Sequence, residues 1–231
     1  MRVRPRLVTE QGYPGPWANA LLVFLVAAAI AVYHPILLPW MTTWGSTTEE
    51  AHMRLPGDEL VPRPTFQSTR AVTIIAPPER IWPWLVQIGQ DRGGFYSYDW
   101  LENLFRLGIH SADRIVPEWQ ERAGGELVHA DANGGNGWYV RDVRPPHALV
   151  LEMANVKAGR PFRRDEPPFM EFTWAFVLQA HRDGRTRLLV RERVAFGKRL
   201  AQVAGSPVGL ISFVMTQKMM RGIKSRAETP T

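Results

Sequence analysis

The chain has no cysteine among its 231 residues. This absence excludes disulfide bonds, a thiolate nucleophile and any metal site with cysteine ligands. The six histidines are dispersed along the chain, without the H-x-x-x-H or H-x-H spacing that places two imidazoles on one metal ion. Glycine motifs that bind phosphate groups and the G-x-S-x-G sequence around a nucleophilic serine are also missing. The sequence therefore predicts no metal and no cofactor.

Charge is absent from a long stretch near the N-terminus, residues 11–48, which holds a continuous apolar run. As a helix, the segment Ala18–Leu38 has about 21 residues and a length of about 30 Å, which matches the hydrocarbon core of a bilayer. Trp17 and Trp40 lie at its ends, where indole rings favour the headgroup level. We predict one transmembrane helix, an anchor over residues 17–40.

A basic N-terminal tail, residues 1–16, precedes this anchor, whereas Glu49 and Glu50 follow it. By the positive-inside rule, the protein is then a single-pass protein of the cell membrane with a cytoplasmic N-terminus and an extracytoplasmic domain. A cleaved signal peptide and a buried core helix are the alternatives. The run ends in Tyr33-His34-Pro35 without a small-x-small cleavage site, which favours an uncleaved anchor.

The net charge of +6 and the isoelectric point of about 10 suit an anionic partner. The basic residues are mostly scattered arginines and do not alternate with aromatic residues as in a groove for nucleic acid. We therefore expect membrane lipids, and not nucleic acid, as a partner. The sequence says nothing about the oligomeric state.

The remaining chain has the length of one ordinary domain. Residues 41–67 carry glycine, proline and charge without a helical or strand period, which predicts a linker or a segment draped over the domain. The domain itself is expected over residues 68–227. It opens with a β-branched strand, Ser68–Ala76, and a helix over Pro78–Ile88 that starts at a proline pair.

A second helix is predicted over Tyr98–Leu107, with Ser97 as its N-cap and with Leu101, Leu104 and Phe105 as its apolar stripe.

Strands dominate from Glu126 onward, joined by turn sequences such as Gly134-Gly135-Asn136-Gly137 and Asp183-Gly184. Neighbouring strands should be antiparallel. A closing amphipathic helix is predicted with Ser206 as its cap and Pro207 at its first position. The predicted strands cover Glu126–Ala130, Gly137–Val143, Ala148–Met153, Phe169–Leu178 and Arg187–Val194.

This order of elements resembles the START-like helix-grip superfamily, also called SRPBCC, which includes polyketide cyclases and lipid-transfer proteins. The phrase Pro77-Pro78-Glu79-Arg80-Ile81-Trp82-Pro83-Trp84-Leu85 is similar to the start of many such domains, and residues 87–103 look like a bacterial subgroup of unassigned function. The resemblance covers about residues 68–227. It implies an α+β fold in which a curved antiparallel sheet surrounds a long C-terminal helix, with an apolar cavity between them.

Aromatic and apolar residues that would line such a cavity occur on the strands and on the closing helix. Strand alternation places Phe172, Trp174 and Phe176 on one face of the sheet. The polar loop before the second helix would supply hydrogen-bonding groups at the mouth. Plain core packing of the apolar residues and ion pairing within the loop are the alternatives. The predicted ligand-binding residues are Arg92, Tyr96, Tyr98, Trp100, Trp138, Phe172, Trp174, Phe176, Phe213 and Val214.

Catalytic candidates are weaker. An imidazole close to a carboxylate is typical of acid–base chemistry, which makes His110 and Asp113 candidates, with Asp91 and Tyr96 as further ones. The alternative is that His110 interacts with the C-terminal end of the second helix.

Three functional hypotheses remain open. The first is a membrane-anchored binding protein that holds a small hydrophobic or lipid-like ligand in an internal cavity. The second is a cyclase, an aromatase or a hydrolase that uses the same cavity. The third is an interaction module of the cell envelope, for which a solid core without a cavity would be the sign.

Overall fold

The computed structural model describes residues 16–181 and 183–229, and the chain divides into two compact units between Trp40 and Met41. In the first unit, helix α1 covers Pro16–Val32. A π-helical turn, Tyr33–Leu37, follows and contains Pro35.

The transmembrane helix predicted over residues 17–40 is not supported. In the part of the chain that the structure describes, no helix is both long and apolar enough to cross a membrane. The α-helical segment α1 ends at Val32, the turn around Pro35 is π-helical, and α2 covers Leu38–Thr42. The arginines of the basic tail lie outside the described residues.

The second unit is an α+β domain. Its helices are α3, Thr48–His52; α4, Pro78–Val86; α5, Asp99–Leu104; and α6, Arg199–Glu228. Its strands are β1, Phe66–Ile74; β2, Leu127–His129; β3, Gly137–Arg144; β4, Ala148–Asn155; β5, Arg160–Pro161; β6, Met170–Ala180; and β7, Thr186–Phe196.

The strands form one antiparallel sheet in the order β1-β7-β6-β4-β3-β2, with β5 paired to β4. The predicted antiparallel pairing is therefore confirmed, as is the C-terminal helix beside a curved sheet. Strand β1 is first in the chain but pairs with β7, so that Ser68 lies opposite Glu192 and Arg70 opposite Val190. This pairing brings the two ends of the domain together.

Two predicted helix starts are wrong. Ser97 does not cap α5, because its hydroxyl donates a hydrogen bond to the Glu102 side chain instead. Helix α6 begins at Arg199, so that Ser206 and Pro207 lie inside it. The predicted apolar stripe of α5 is also wrong at Leu104 and Phe105, which are 70% and 65% exposed.

The inner face of the sheet packs against α4 and α6. Leu188, Val190 and Phe176 from the strands join Ile81 of α4 and Ile223 of α6 in one buried cluster. Burial of large apolar side chains from both layers is the main source of stability for such a domain.

The outer face is covered by a segment that we call the strap, residues 43–65. Leu55 of the strap is buried against Val177 and Leu189 of the sheet. Arg191 on β7 donates hydrogen bonds to the main-chain carbonyls of Met53, Glu50 and Ala51. The segment predicted as a linker or as draped over the domain thus lies on the domain along this face.

Candidate functional site

A cavity of about 300 Å³ lies between the inner face of the sheet, helix α6 and the chain around α5. Its lining consists of Phe95, Ser97, Glu102, Leu107, Ile109, Ala130, Trp138, Phe172, Trp174, Glu192, Ser212, Met215, Thr216 and Met219. The volume and the largely apolar lining are typical of a site for a small organic molecule.

One wall of the cavity is aromatic. Trp138 on β3 and Trp174 on β6 lie on either side of β4, and their ring centroids are 5.4 Å apart. The ring of Phe95 lies 5.8 Å from Trp138 in an edge-to-face arrangement. Strand alternation places Phe172 on the same face as Trp174. Such a wall favours flat, apolar ligands.

The same face of the sheet contains a buried carboxylate, Glu192 on β7, directly across the strand pair from Trp174. Arg70 forms an ion pair with this carboxylate and donates a hydrogen bond to it at 2.9 Å. Ser68 donates a second hydrogen bond, also at 2.9 Å. From α6, Ser212 and Thr216 donate to its Oε1 at 2.9 and 3.1 Å. This network joins β1, β7 and α6 at the edge of the cavity.

The network keeps Glu192 ionised. Burial opposes the charged form, but the Arg70 guanidinium and the hydrogen bonds from Ser212 and Ser68 outweigh it, so that the pKa of Glu192 lies below its usual value. Four side chains of the protein, Ser68, Arg70, Ser212 and Thr216, thus hold this carboxylate at the cavity wall.

Glu102 on α5 is a second carboxyl group at the cavity, and its environment is the reverse. The side chain is 6% exposed and accepts a hydrogen bond from Ser97. Burial raises the pKa of Glu102, the Ser97 hydrogen bond opposes this rise, and the charge of Asp99 adds to it. The cavity therefore contains one carboxyl group whose pKa is raised, Glu102, and one whose pKa is lowered, Glu192.

Three polar atoms at the cavity are buried without a hydrogen-bond partner among residues 16–181 and 183–229. They are the indole Nε1 atoms of Trp138 and Trp174 and the Oε2 atom of Glu102. Neighbouring side chains cover these atoms, so a ligand would reach them after a side-chain rotation. A buried polar group without a partner costs about 1–3 kcal/mol. An oxygen on a bound ligand would recover part of this free energy.

The loop between α4 and α5 closes one end of the cavity. The Gln87 side chain is fully buried and bonds to the main chain of Arg114 and Val116. Tyr96 has a positive φ of 57°, and its carbonyl oxygen lies where a Cβ at Gly222 would approach to 2.4 Å. Only glycine at position 222 lets α6 lie this close to the loop.

A second pocket, of about 420 Å³, lies on the outer side of the same loop. It is more polar, and Ser97 lines both pockets. Its lining consists of Tyr96, Ser97, Tyr98, Asp99, Trp100, Ser111, Lys218, Gly222 and Arg226.

The predicted ligand-binding residues fall into four groups. Trp138, Phe172 and Trp174 line the cavity. Tyr96, Tyr98 and Trp100 line the second pocket. Phe176 and Phe213 are buried but do not belong to either lining, and Val214 is 38% exposed. The guanidinium group of Arg92 bonds to the carbonyls of Trp119 and Glu121 and to the Glu126 carboxylate, so it joins the loop before α5 to the segment before β2.

The predicted catalytic residues lie away from the cavity lining. His110, Asp113 and Asp91 are exposed. His110 lies six residues beyond the end of α5 at Leu104. The Tyr96 ring is buried, and burial raises the pKa of its hydroxyl. Among the residues that the structure describes, no cluster of three side chains suits a metal ion.

The sequence analysis missed both carboxyl groups of the cavity. A signal for Glu192 was present, since it interrupts the apolar strand β7 at a position that alternation assigns to the inner face, together with Val190 and Val194. Ser212 and Thr216 are four residues apart on α6 and so share one face of the helix.

No family model matches the chain, and no curated protein matches it. Solved structures of similar fold include a hypothetical protein from Helicobacter pylori, with 12% identity, a TM-score of 0.46 and coverage of 79% of this chain and 99% of that one. An HSP90 activator from Plasmodium falciparum has 12% identity, a TM-score of 0.43 and coverage of 71% and 97%. With TM-scores below 0.5, these likenesses carry no conclusion about this chain, and membership of the START-like superfamily stays a prediction.

Proposed function

We propose that this protein binds a small, mainly apolar ligand in the cavity between the sheet and α6. The observation that supports this most directly is the cavity itself, with a volume of about 300 Å³ and an aromatic wall. A solid core would have favoured the interaction module instead. The three unpartnered polar atoms at the wall suit a ligand that carries at least one oxygen.

Attachment to a membrane stays part of this proposal. It is supported by helix α1, where Trp17 is 72%, Val23 69% and Phe24 67% exposed. Apolar surface of this extent is typical of a contact with lipid or with another protein. A cavity for apolar molecules would serve a protein held near a membrane, where such molecules concentrate.

The experiment is a titration of the full-length protein with 1-aminoanthracene, a fluorescent apolar amine, and of a variant in which the cavity is filled. Met215 lines the cavity from α6, and Met215→Trp adds an indole ring inside it. We expect the variant to lose most of the probe binding. The matched control is Val214→Trp, because its neighbour Val214 is absent from the lining and 38% exposed. Equal binding by both variants would contradict the proposal.

A second candidate function is proton transfer on the bound ligand. It is favoured by the two carboxyl groups of the cavity, because environments that separate two pKa values are typical of acid–base pairs. Glu102 is the candidate acid. Glu102→Gln keeps the shape of the side chain, so it should leave binding of 1-aminoanthracene intact and abolish turnover of any substrate found. Turnover that survives in this variant would exclude the role.

A further inference from the structure

Large apolar side chains are exposed to solvent on the outer side of α5 and directly after its last residue. Trp100 is 69%, Leu104 70% and Phe105 65% exposed. Trp100 and Leu104 are four residues apart and lie on one side of the helix, whereas Glu102 turns inward to the cavity. Three large apolar side chains on such a short element form a patch, and patches of this kind mark contact surfaces.

Helix α6 has a similar outer stripe. Leu210 is 45%, Ile211 52% and Val214 38% exposed. Lys218 is exposed one turn beyond Val214, on the same side of the helix. The stripe thus changes from apolar to basic within one turn.

The two apolar surfaces adjoin at the second pocket, which Trp100 and Lys218 both line. The Lys218 ammonium group lies 5.6 Å from the centre of the Tyr98 ring, and that ring lies 6.3 Å from Trp100. We call Trp100, Leu104, Phe105, Ile211, Val214 and Lys218 together the docking face.

The charges around the docking face are mainly positive. Arg106 follows Phe105 and is exposed, and Arg221 is exposed one turn after Lys218. Asp99 is the carboxylate of the second pocket, and it accepts hydrogen bonds from the Ser111 main chain and hydroxyl at 2.7 and 2.6 Å. These hydrogen bonds partly satisfy the one negative charge in that pocket's lining.

We propose that the docking face rests on an anionic lipid bilayer. A tryptophan ring suits the headgroup level, and leucine and phenylalanine suit the acyl boundary below it. Lysine extends its charge to the phosphate level, and each basic side chain near an anionic surface adds to binding. A purely apolar partner protein would leave Lys218, Arg106 and Arg221 without a counter-charge, whereas anionic lipids supply one.

The docking face would place the cavity beside the bilayer. Helices α5 and α6 carry most of the docking face on their outer sides and line the cavity with Glu102, Met215 and Met219 on their inner sides. A ligand could then exchange between bilayer and cavity over the thickness of one helix. The docking face and the cavity are tested separately, so that either proposal can fail alone.

The test uses the absence of cysteine from the chain. Leu104→Cys in the full-length protein takes a single environment-sensitive nitrobenzoxadiazole label on the docking face. On addition of phosphatidylserine vesicles, we expect a blue shift of the emission and a several-fold rise in intensity. The matched control is Ile75→Cys, because Ile75 is also 70% exposed but lies outside the docking face. Its label should not respond, even if α1 alone holds the protein on the vesicles.

A second variant tests the charge. Adding Lys218→Gln to the labelled protein should raise the amount of anionic lipid needed for the half-maximal response about fivefold, as expected for loss of one basic contact. An unchanged emission at position 104, or equal responses at positions 104 and 75, would overturn the proposal. A response that needs no vesicles and grows with protein concentration would overturn it in favour of self-association. Far-UV circular dichroism and thermal unfolding of the unlabelled variants show that the fold is intact, independently of any ligand in the cavity.

Discussion

The two faces of the sheet bury charge in different ways. Adjacent residues of β7 make the comparison direct, since Arg191 points to the outer face and Glu192 to the inner face. Arg191 binds mainly to main-chain carbonyls of the strap, whereas Glu192 receives side-chain donors from β1 and α6.

The covers of the two faces therefore differ in how closely they approach the sheet. On the outer face the main chain itself lies on the strands, and a Cβ at Gly57 would lie 2.5 Å from Val150. On the inner face the side chains of α6 keep its main chain at a distance, and a cavity of about 300 Å³ remains. The main chain of the strap lies directly on the outer face and closes it. The side chains of α6 separate the helix from the inner face and leave room for a ligand.

The largest effect is expected on the outer face, from Arg191→Met. The substitution leaves Asp58 and three carbonyls of the strap without their main donor. Loss of one partner from a buried charge pair lowers the free energy of unfolding by about 3–5 kcal/mol. Urea denaturation followed by circular dichroism measures the change. The control is Arg185→Met, an exposed pair with Asp183, for which we expect about 0–1 kcal/mol. Similar losses in both variants would show that the strap does not depend on Arg191.

Glu192→Gln comes next, and its effect should depend on pH. It leaves the Arg70 charge buried without a counter-charge, which lowers the free energy of unfolding by about 3 kcal/mol at neutral pH. Because the pKa of Glu192 is lower in the folded than in the unfolded state, its stabilising contribution is complete above the usual value of 4.5. The contribution disappears as the pH falls through the folded pKa. Denaturation midpoints of both proteins should therefore converge in acid, and a constant difference would refute this role.

A smaller effect is expected from Thr216→Val, which keeps the shape of the side chain and removes one donor to Glu192. We expect a loss of about 1 kcal/mol in the free energy of unfolding, the usual contribution of one hydrogen bond. Ser225→Ala on the exposed side of the same helix serves as the control, with a change within about 0.5 kcal/mol. The two variants should separate clearly in thermal unfolding if the network holds α6 on the inner face.

The smallest effect is expected from Glu102→Gln. The difference in free energy of unfolding between variant and wild type should shift in favour of the variant as the pH rises. Burial raises the pKa of Glu102. The wild-type protein therefore has its stability advantage over the variant while this group is protonated, below the usual pKa of 4.5. That advantage disappears as the pH rises through the folded pKa. Stability measured in acid and at neutral pH should show the variant gaining on the wild type at the higher pH. A gain in acid instead would mean that folding lowers the pKa of Glu102.

The architecture of the domain was readable from the sequence because its signals are local. Alternation along β6 placed Trp174 and Phe172 on one face, and glycine and aspartate marked the turn between β6 and β7. The predicted N-cap of α5 failed because its side chain has another partner. Ser97 bonds to Glu102, and this contact depends on how the loop folds over the cavity.

The partners of the polar groups in the candidate site were not readable from local signals. Glu192 meets Ser68 across 124 positions of the chain, so its partners depend on the pairing of the first strand with the last. A carboxylate among apolar residues is normally assigned to the exposed face, which hid its role. The exposed side chains of α5 were misassigned for the opposite reason, since apolar spacing alone cannot distinguish a buried stripe from a surface patch.

The Glu192 network also bears on the order in which the domain folds. Its donors come from β1 and from α6, so it forms only after the first strand has paired with β7 and the last helix has docked. Contacts between such distant parts of a chain require closure of a long loop, which slows folding. If the network is absent from the transition state, it mainly slows unfolding. The buried carboxylate would then determine how long the folded domain survives more than how quickly it forms.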